Sequence, residues 1–141
     1  MRIRLDVDTL SKIQYFEAAT HAKVKDCLVD DNNLLVFIVE QFQLKNAVGK
    51  NGVKVKALEF KFRKKIKIIE YNDTLTTFVQ NVFYPLKANA IRMEGDENDV
   101  VIITPQDSKT RGVMIGRAAQ NLRSAEKIVQ RYFNIKEIKI E

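Results

Sequence analysis

The chain is short of the residues from which metal centres and most active sites are built. It holds one cysteine, Cys27, and one histidine, His21, whereas a zinc site takes three or four Cys or His ligands, so this pair excludes one. Cys27 has no second cysteine to pair with, which fits a reducing compartment. No run approaches the roughly 18 apolar residues of a membrane span, and the acid at Asp6 comes too early for a secretory leader. A cytoplasmic protein with no membrane association is expected. Neither G-x-x-x-x-G-K-[ST] nor G-x-G-x-x-G occurs, so the phosphate-binding fingerprints of nucleotide-hydrolysing enzymes are missing. No cofactor is expected, and the chain reads as a non-enzyme. Only Cys27, six positions after His21, keeps covalent chemistry formally open, against its reading as a small core residue.

What the chain does have is an ordinary globular composition and unevenly placed charge. Its 141 residues are 45% hydrophobic and 30% charged, enough for one domain or two small ones. The net charge is +6, and the cations gather in two runs. The first takes in Lys45, Lys50, Lys54, Lys56, Lys61, Arg63, Lys64, Lys65 and Lys67, opposed by Glu59; the second takes in Lys109, Arg111, Arg117, Arg123, Lys127 and Arg131, opposed by Glu126. One such run reads as a solvated helix face. Two runs placed alike along the chain point instead to an anionic partner.

Hydrophobic periodicity divides the chain into two similar halves. Residues 9–22 carry Leu10, Ile13 and Phe16 at helical spacing, with Asp8 or Thr9 as the expected N-cap. Residues 26–31 and 34–40 read as strands around an Asn32-Asn33 turn, and Ile66 to Tyr71 as a third strand. The pattern then restarts with a helix presenting Phe78, Val79, Val82 and Phe83 and closed by Pro85. Strands at 88–93 and 100–104, a helix near 120–133 and a strand at 135–140 follow. Sliding Gly49 onto Gly116 pairs Lys50 with Arg117, Val55 with Leu122, Lys56 with Arg123 and Glu59 with Glu126. This is an internal duplication at domain scale, with expected domains 1–71 and 72–141.

Each half has a small-residue turn at its centre: Gly49-Lys50-Asn51-Gly52 and Gly116-Arg117-Ala118-Ala119. Glycine lacks a Cβ and lets a nucleic-acid backbone come close, while the next helix and the cation supply donors and charge to phosphates. Asn51-Gly52 is equally a hairpin signal, and residues 53–62 alternate like a strand as well as they run like a helix. The second half, alanine-rich and without a turn dipeptide, favours the helix there and, by the duplication, in 53–62. Phe37, Phe60, Phe62, Phe78, Phe83 and Phe133 are assigned to cores.

Helix, strand, strand, short helix, G-x-x-G turn, helix, strand, twice over, resembles two tandem type II KH domains. With Asp26-Cys-Leu-Val, Val36-Phe-Ile-Val, Ala47-Val-Gly-Lys-Asn-Gly and Val113-Met-Ile-Gly-Arg at these positions, the chain is similar to the archaeal NusA-like transcription factors. The resemblance covers nearly the whole chain. It implies an α+β fold in which each domain runs α-β-β-α-α-β, a three-stranded sheet with its helices on one face. It also implies a protein that holds single-stranded RNA and acts with RNA polymerase in transcription elongation or termination; a monomer is expected. The residues it points to are Gly49, Lys50, Asn51 and Gly52, with Gly116, Arg117, Ala118 and Ala119 in the second loop. Lys54, Lys56, Lys109, Arg111 and Arg123 would extend the electrostatic track, and Val48, Val55, Ile115 and Leu122 would line grooves, unless they are simply core. Ala119 stands where the motif has glycine, and alanine disfavours positive φ, so the second loop is expected to bind more weakly. The alternative is a protein-docking or ribosome-associated module that turns the same basic face to a protein or to folded rRNA.

Overall fold

A computed structural model describes residues 6–141, with the backbone alone at Asn51. The chain divides into two compact units that change over at Asn72 and Asp73. The first contains α1 (Val7–Thr20), β1 (Val24–Val29), β2 (Leu35–Val39), α2 (Leu44–Val48), a 3-10 turn (Lys50–Gly52), α3 (Val53–Phe62) and β3 (Ile66–Glu70). The second contains α4 (Leu75–Phe83), β4 (Ala88–Glu94), β5 (Val100–Pro105), α5 (Ser108–Ile115), a 3-10 turn (Arg117–Ala119), α6 (Gln120–Gln130) and β6 (Glu137–Ile140). The fold is therefore mixed α+β, with the same order of elements in each unit. Among the described residues no helix is long and apolar enough to cross a membrane.

In the first unit the sheet order is β1-β2-β3, with β1 antiparallel and β3 parallel to β2. The hairpin is set by Asp30, whose Oδ1 accepts from the N–H groups of Asn32 and Leu34 at 2.9 Å each. Asn33 takes the left-handed position there at φ 61°, as a side chain that tolerates this region does. Ile13 and Phe16 of α1, Cys27, alternate β2 residues Leu35, Phe37 and Val39, Ala47 of α2 and Leu58 of α3 form the core. Phe16 stacks on Phe37 with ring centroids 4.1 Å apart. The N-cap of α1 is Asp6, before the expected Asp8 or Thr9: its Oδ1 accepts from Thr9 N–H at 2.7 Å. Asp8 instead pairs with Lys12 one turn on, at 2.8 Å.

The second unit repeats this plan with β4-β5-β6, again antiparallel then parallel. Phe78, Val79, Val82 and Phe83 are all buried, as their spacing predicts. Phe78 meets Tyr132 edge-on at 5.5 Å. Asp107 caps α5 through Thr110 N–H at 2.7 Å. α6 ends at Gln130 and β6 starts at Glu137, later than the expected 135. The residues between are a turn tied by Phe133 N–H to Val129 O and by Gln130 Nε2 to Lys136 O.

One contact is duplicated along with the elements. Glu59 Oε2 accepts from Ile66 N–H at 2.8 Å and Glu126 Oε2 from Ile138 N–H at 2.9 Å. In each unit a carboxylate from the helix that follows the 3-10 turn satisfies a backbone donor of the last strand, so helix and strand are latched where the parallel pairing begins.

Candidate nucleic-acid interface

Each G-x-x-G-type turn lies between two helices, and residues 53–62 are helical, so the hairpin reading of Asn51-Gly52 fails. Gly49 ends α2 at φ 67°, ψ −167°, and Gly116 ends α5 at φ 74°, ψ 176°. This corner of backbone space is essentially restricted to glycine. The N–H of each donates back into its helix, to Lys45 O at 3.0 Å and Gly112 O at 2.9 Å. Gly52 then takes the left-handed conformation at φ 65°, ψ 18° as α3 begins.

The second loop keeps this form despite its alanines. Ala119 sits at φ 60°, ψ 23°, beside Gly52 in conformation, and Ala118 is also left-handed at φ 54°. The expectation that alanine would refuse positive φ is therefore corrected; each left-handed alanine costs about 1–2 kcal/mol, which the surrounding contacts offset. Part of that support is Asn121, whose Nδ2 donates to Val113 O at 2.8 Å. Its side chain lies over Gly116, so that a Cβ there would come within 2.7 Å of it. Among the described residues a Cβ at Gly49 or Gly52 would meet nothing within 4 Å. The first loop is open to an approaching backbone, and the second is covered at its glycine.

The predicted cations are exposed but not gathered at one point. Lys50 lies in the first loop and Lys54 in the first turn of α3, while Arg117 lies in the second loop. Lys56 falls with Glu59, Phe60, Arg63, Lys64 and Lys65 around a separate depression near the end of α3. Lys109 is about 10 Å along α5 from Gly116 by helical rise. Arg111 donates from Nε to Glu141 O at 3.0 Å, and Arg123 faces Glu126 at 3.7 Å. Lys67 leaves the patch: it is half-buried in β3, and burial holds its ammonium below the usual lysine range. The Asn51 side chain lies outside the described residues. Val48 is exposed while Val55, Ile115 and Leu122 are half-buried, so none belongs to the buried core.

Phe60 departs from its expected role, while Cys27 takes its core reading. Phe60, assigned to the core, is 89% exposed, because it stands on the face of α3 opposite Leu58 and Phe62. Cys27 is buried, and burial pushes its thiol up to about 12, while His21 is an exposed C-cap of α1. A thiol in that state is no nucleophile near neutral pH, and the Cys27–His21 pair loses its chemistry. Asn121 had no sequence signal beyond its place two residues after the loop.

The second unit, residues 75–141, matches the family model of the NusA-like second KH domain. Over 99% of its length the chain is 34% identical to the probable transcription termination protein NusA of Methanocaldococcus jannaschii, covering 75% of that protein. It is 30% identical to the protein of the same name from Halococcus morrhuae, covering 99% of each chain. The crystal structure of APE1850 superposes with a TM-score of 0.80 at 26% identity, covering 97% of this chain and 100% of that one. Alignment over the whole chain and the match of its second unit agree with the loop geometry: the protein belongs to the NusA-like family of archaeal KH-domain proteins.

Proposed function

We propose that the chain is a pair of type II KH domains, 1–71 and 72–141, that holds single-stranded RNA and works with RNA polymerase in transcription elongation or termination. The observation that carries this is the first loop. Gly49 and Gly52 hold left-handed backbone with open space above them, next to the exposed Lys50 and at the start of α3. A phosphate can approach that backbone to hydrogen-bonding distance, with Lys50 and Lys54 supplying charge. The relatives named as transcription termination proteins supply the process. In the second unit Asn121 occupies the space over Gly116, so Arg117 and Lys109 contribute charge there more than the backbone contributes donors. The same covered loop is what favours the alternative, a docking role, for the second unit.

The test compares a labelled single-stranded RNA with matched duplex DNA, in wild type and in Lys50→Asp/Asn51→Asp. Two negative charges in the loop leave the core untouched. The wild type is expected to prefer single-stranded RNA and the double variant to lose it while keeping its circular dichroism. Equal, salt-sensitive binding of both nucleic acids by both proteins would overturn the reading.

A further inference from the structure

Along α3 the residues at the outer face are Val53, Ala57 and Phe60, at i, i+4 and i+7, with Val53 65% and Phe60 89% exposed. Phe60 lies about 10 Å from the loop by helical rise. Around it Lys56, Arg63, Lys64 and Lys65 line an open depression of about 510 Å³. The one acid there, Glu59, already accepts from Ile66 N–H, and Lys64 reaches Asn33 Oδ1 at 2.7 Å. Among the described residues Lys56, Arg63 and Lys65 form no ion pair. Arg63 is the C-cap of α3, in the left-handed conformation at φ 55°. In the duplicated register Phe60 corresponds to Lys127, so the second unit has no aromatic at this point. The patch is therefore separate from the loop geometry that the two units share.

We infer that Phe60 with Lys56, Arg63, Lys64 and Lys65 forms a second contact for single-stranded RNA, a base stacking on the ring and its flanking phosphates meeting the cations. A fully exposed ring inside a cationic rim is the combination that binds single strands without reading sequence. A protein partner would need a contact on the order of 800 Å² per side, and the apolar part here is one ring, one isopropyl group and one methyl. The patch continues along one helix from the first loop, extending the track beyond it. This inference rests on the reading of the chain as an RNA-binding protein.

The chain has no tryptophan, so Phe60→Trp puts a single indole in the patch. Titrating the full chain with a single-stranded oligoadenylate of about 12 nucleotides should quench its emission. Phe60→Ala should weaken binding at least about fivefold with an unchanged salt slope. Lys56→Gln with Lys65→Gln should flatten the log–log salt slope by about 1.4. Unaltered emission at saturating RNA, or wild-type affinity in Phe60→Ala, overturns the inference. So does poly-glutamate shifting the emission where RNA does not, which makes the patch a protein-docking site. If Lys50→Asp/Asn51→Asp abolishes binding and Phe60→Ala binds as tightly as the wild type, the loop reading stands and the patch alone falls. If the wild type binds no RNA, both fall.

Discussion

Gly49 and Gly116 share a backbone conformation and differ in their surroundings, which makes them a controlled pair. Alanine at either must leave a region reserved for glycine, but only at 116 does the new methyl collide with Asn121. Gly116→Ala is expected to lower the melting temperature more than Gly49→Ala, and Asn121→Ala to return part of the difference in a double-mutant cycle. Ala119→Gly should stabilise by about 0.5–1 kcal/mol, the relief of left-handed strain exceeding the added freedom of the unfolded chain; chemical denaturation reads it directly. For Cys27, with its thiol pushed up to about 12 by burial, a disulfide-exchange reagent at pH 8 should label only the unfolded chain. Rapid labelling of the native protein would contradict that.

Among the elements, α3 was the hardest to read and α4 the easiest. α4 has one strongly apolar face, and all four of its marked residues are buried. α3 carries apolar residues on opposite faces, Val53 and Phe60 outward and Leu58 and Phe62 inward, so composition alone does not separate strand from helix or core from surface. The duplication resolved the first ambiguity; the second was legible only in the 100° step that sets Phe60 against Leu58. The cap of α1 was misplaced because Asp6 and Asp8 are both capable, and only the ion pair of Asp8 with Lys12 distinguishes them. The loops themselves were legible, as glycine and cation types mark them, whereas the cover that Asn121 lays over Gly116 depends on a side-chain direction. The latch of Glu59 is testable here: Glu59→Ala strands Ile66 N–H and should cost about 1–3 kcal/mol, while Glu59→Gln keeps an acceptor and should cost less. Element ends also respond to acid. Asp6 and Asp107 are held below the usual carboxylate range by the Thr9 and Thr110 amides, and hydrogen bonds from Arg92 and Thr104 bring Glu141 down to about 2. A depressed carboxylate stabilises fully above its ordinary value, 3.8 for the two aspartates and 4.5 for Glu141, and stops doing so as pH falls through its folded value. Protection of the Thr9 and Thr110 amides, followed by hydrogen exchange, should therefore hold from pH 8 to 5 and decline below about 4.

For the whole molecule, the net charge of +6 predicts RNA binding that weakens with salt at a slope near −0.7 per phosphate neutralised. Lys67 is half-buried in β3, and the internal repeat is the most informative feature of the sequence, because each half constrains the reading of the other. The parallel pairing in each sheet has a further consequence. β1 meets β2, and β4 meets β5, across a tight turn, but Leu35 meets Ile66 and Val100 meets Glu137 only across roughly 30 residues or more, and such non-local pairing is slow to form. Each G-x-x-G-type turn lies inside that long connection. A chain leaving the ribosome can close either hairpin early, and the turn, which lies between that hairpin and the third strand, is expected to set as the third strand docks. On the proposed reading, competence to hold RNA belongs to the last step of assembly in each unit, and a unit still lacking its third strand presents a hairpin but no clamp.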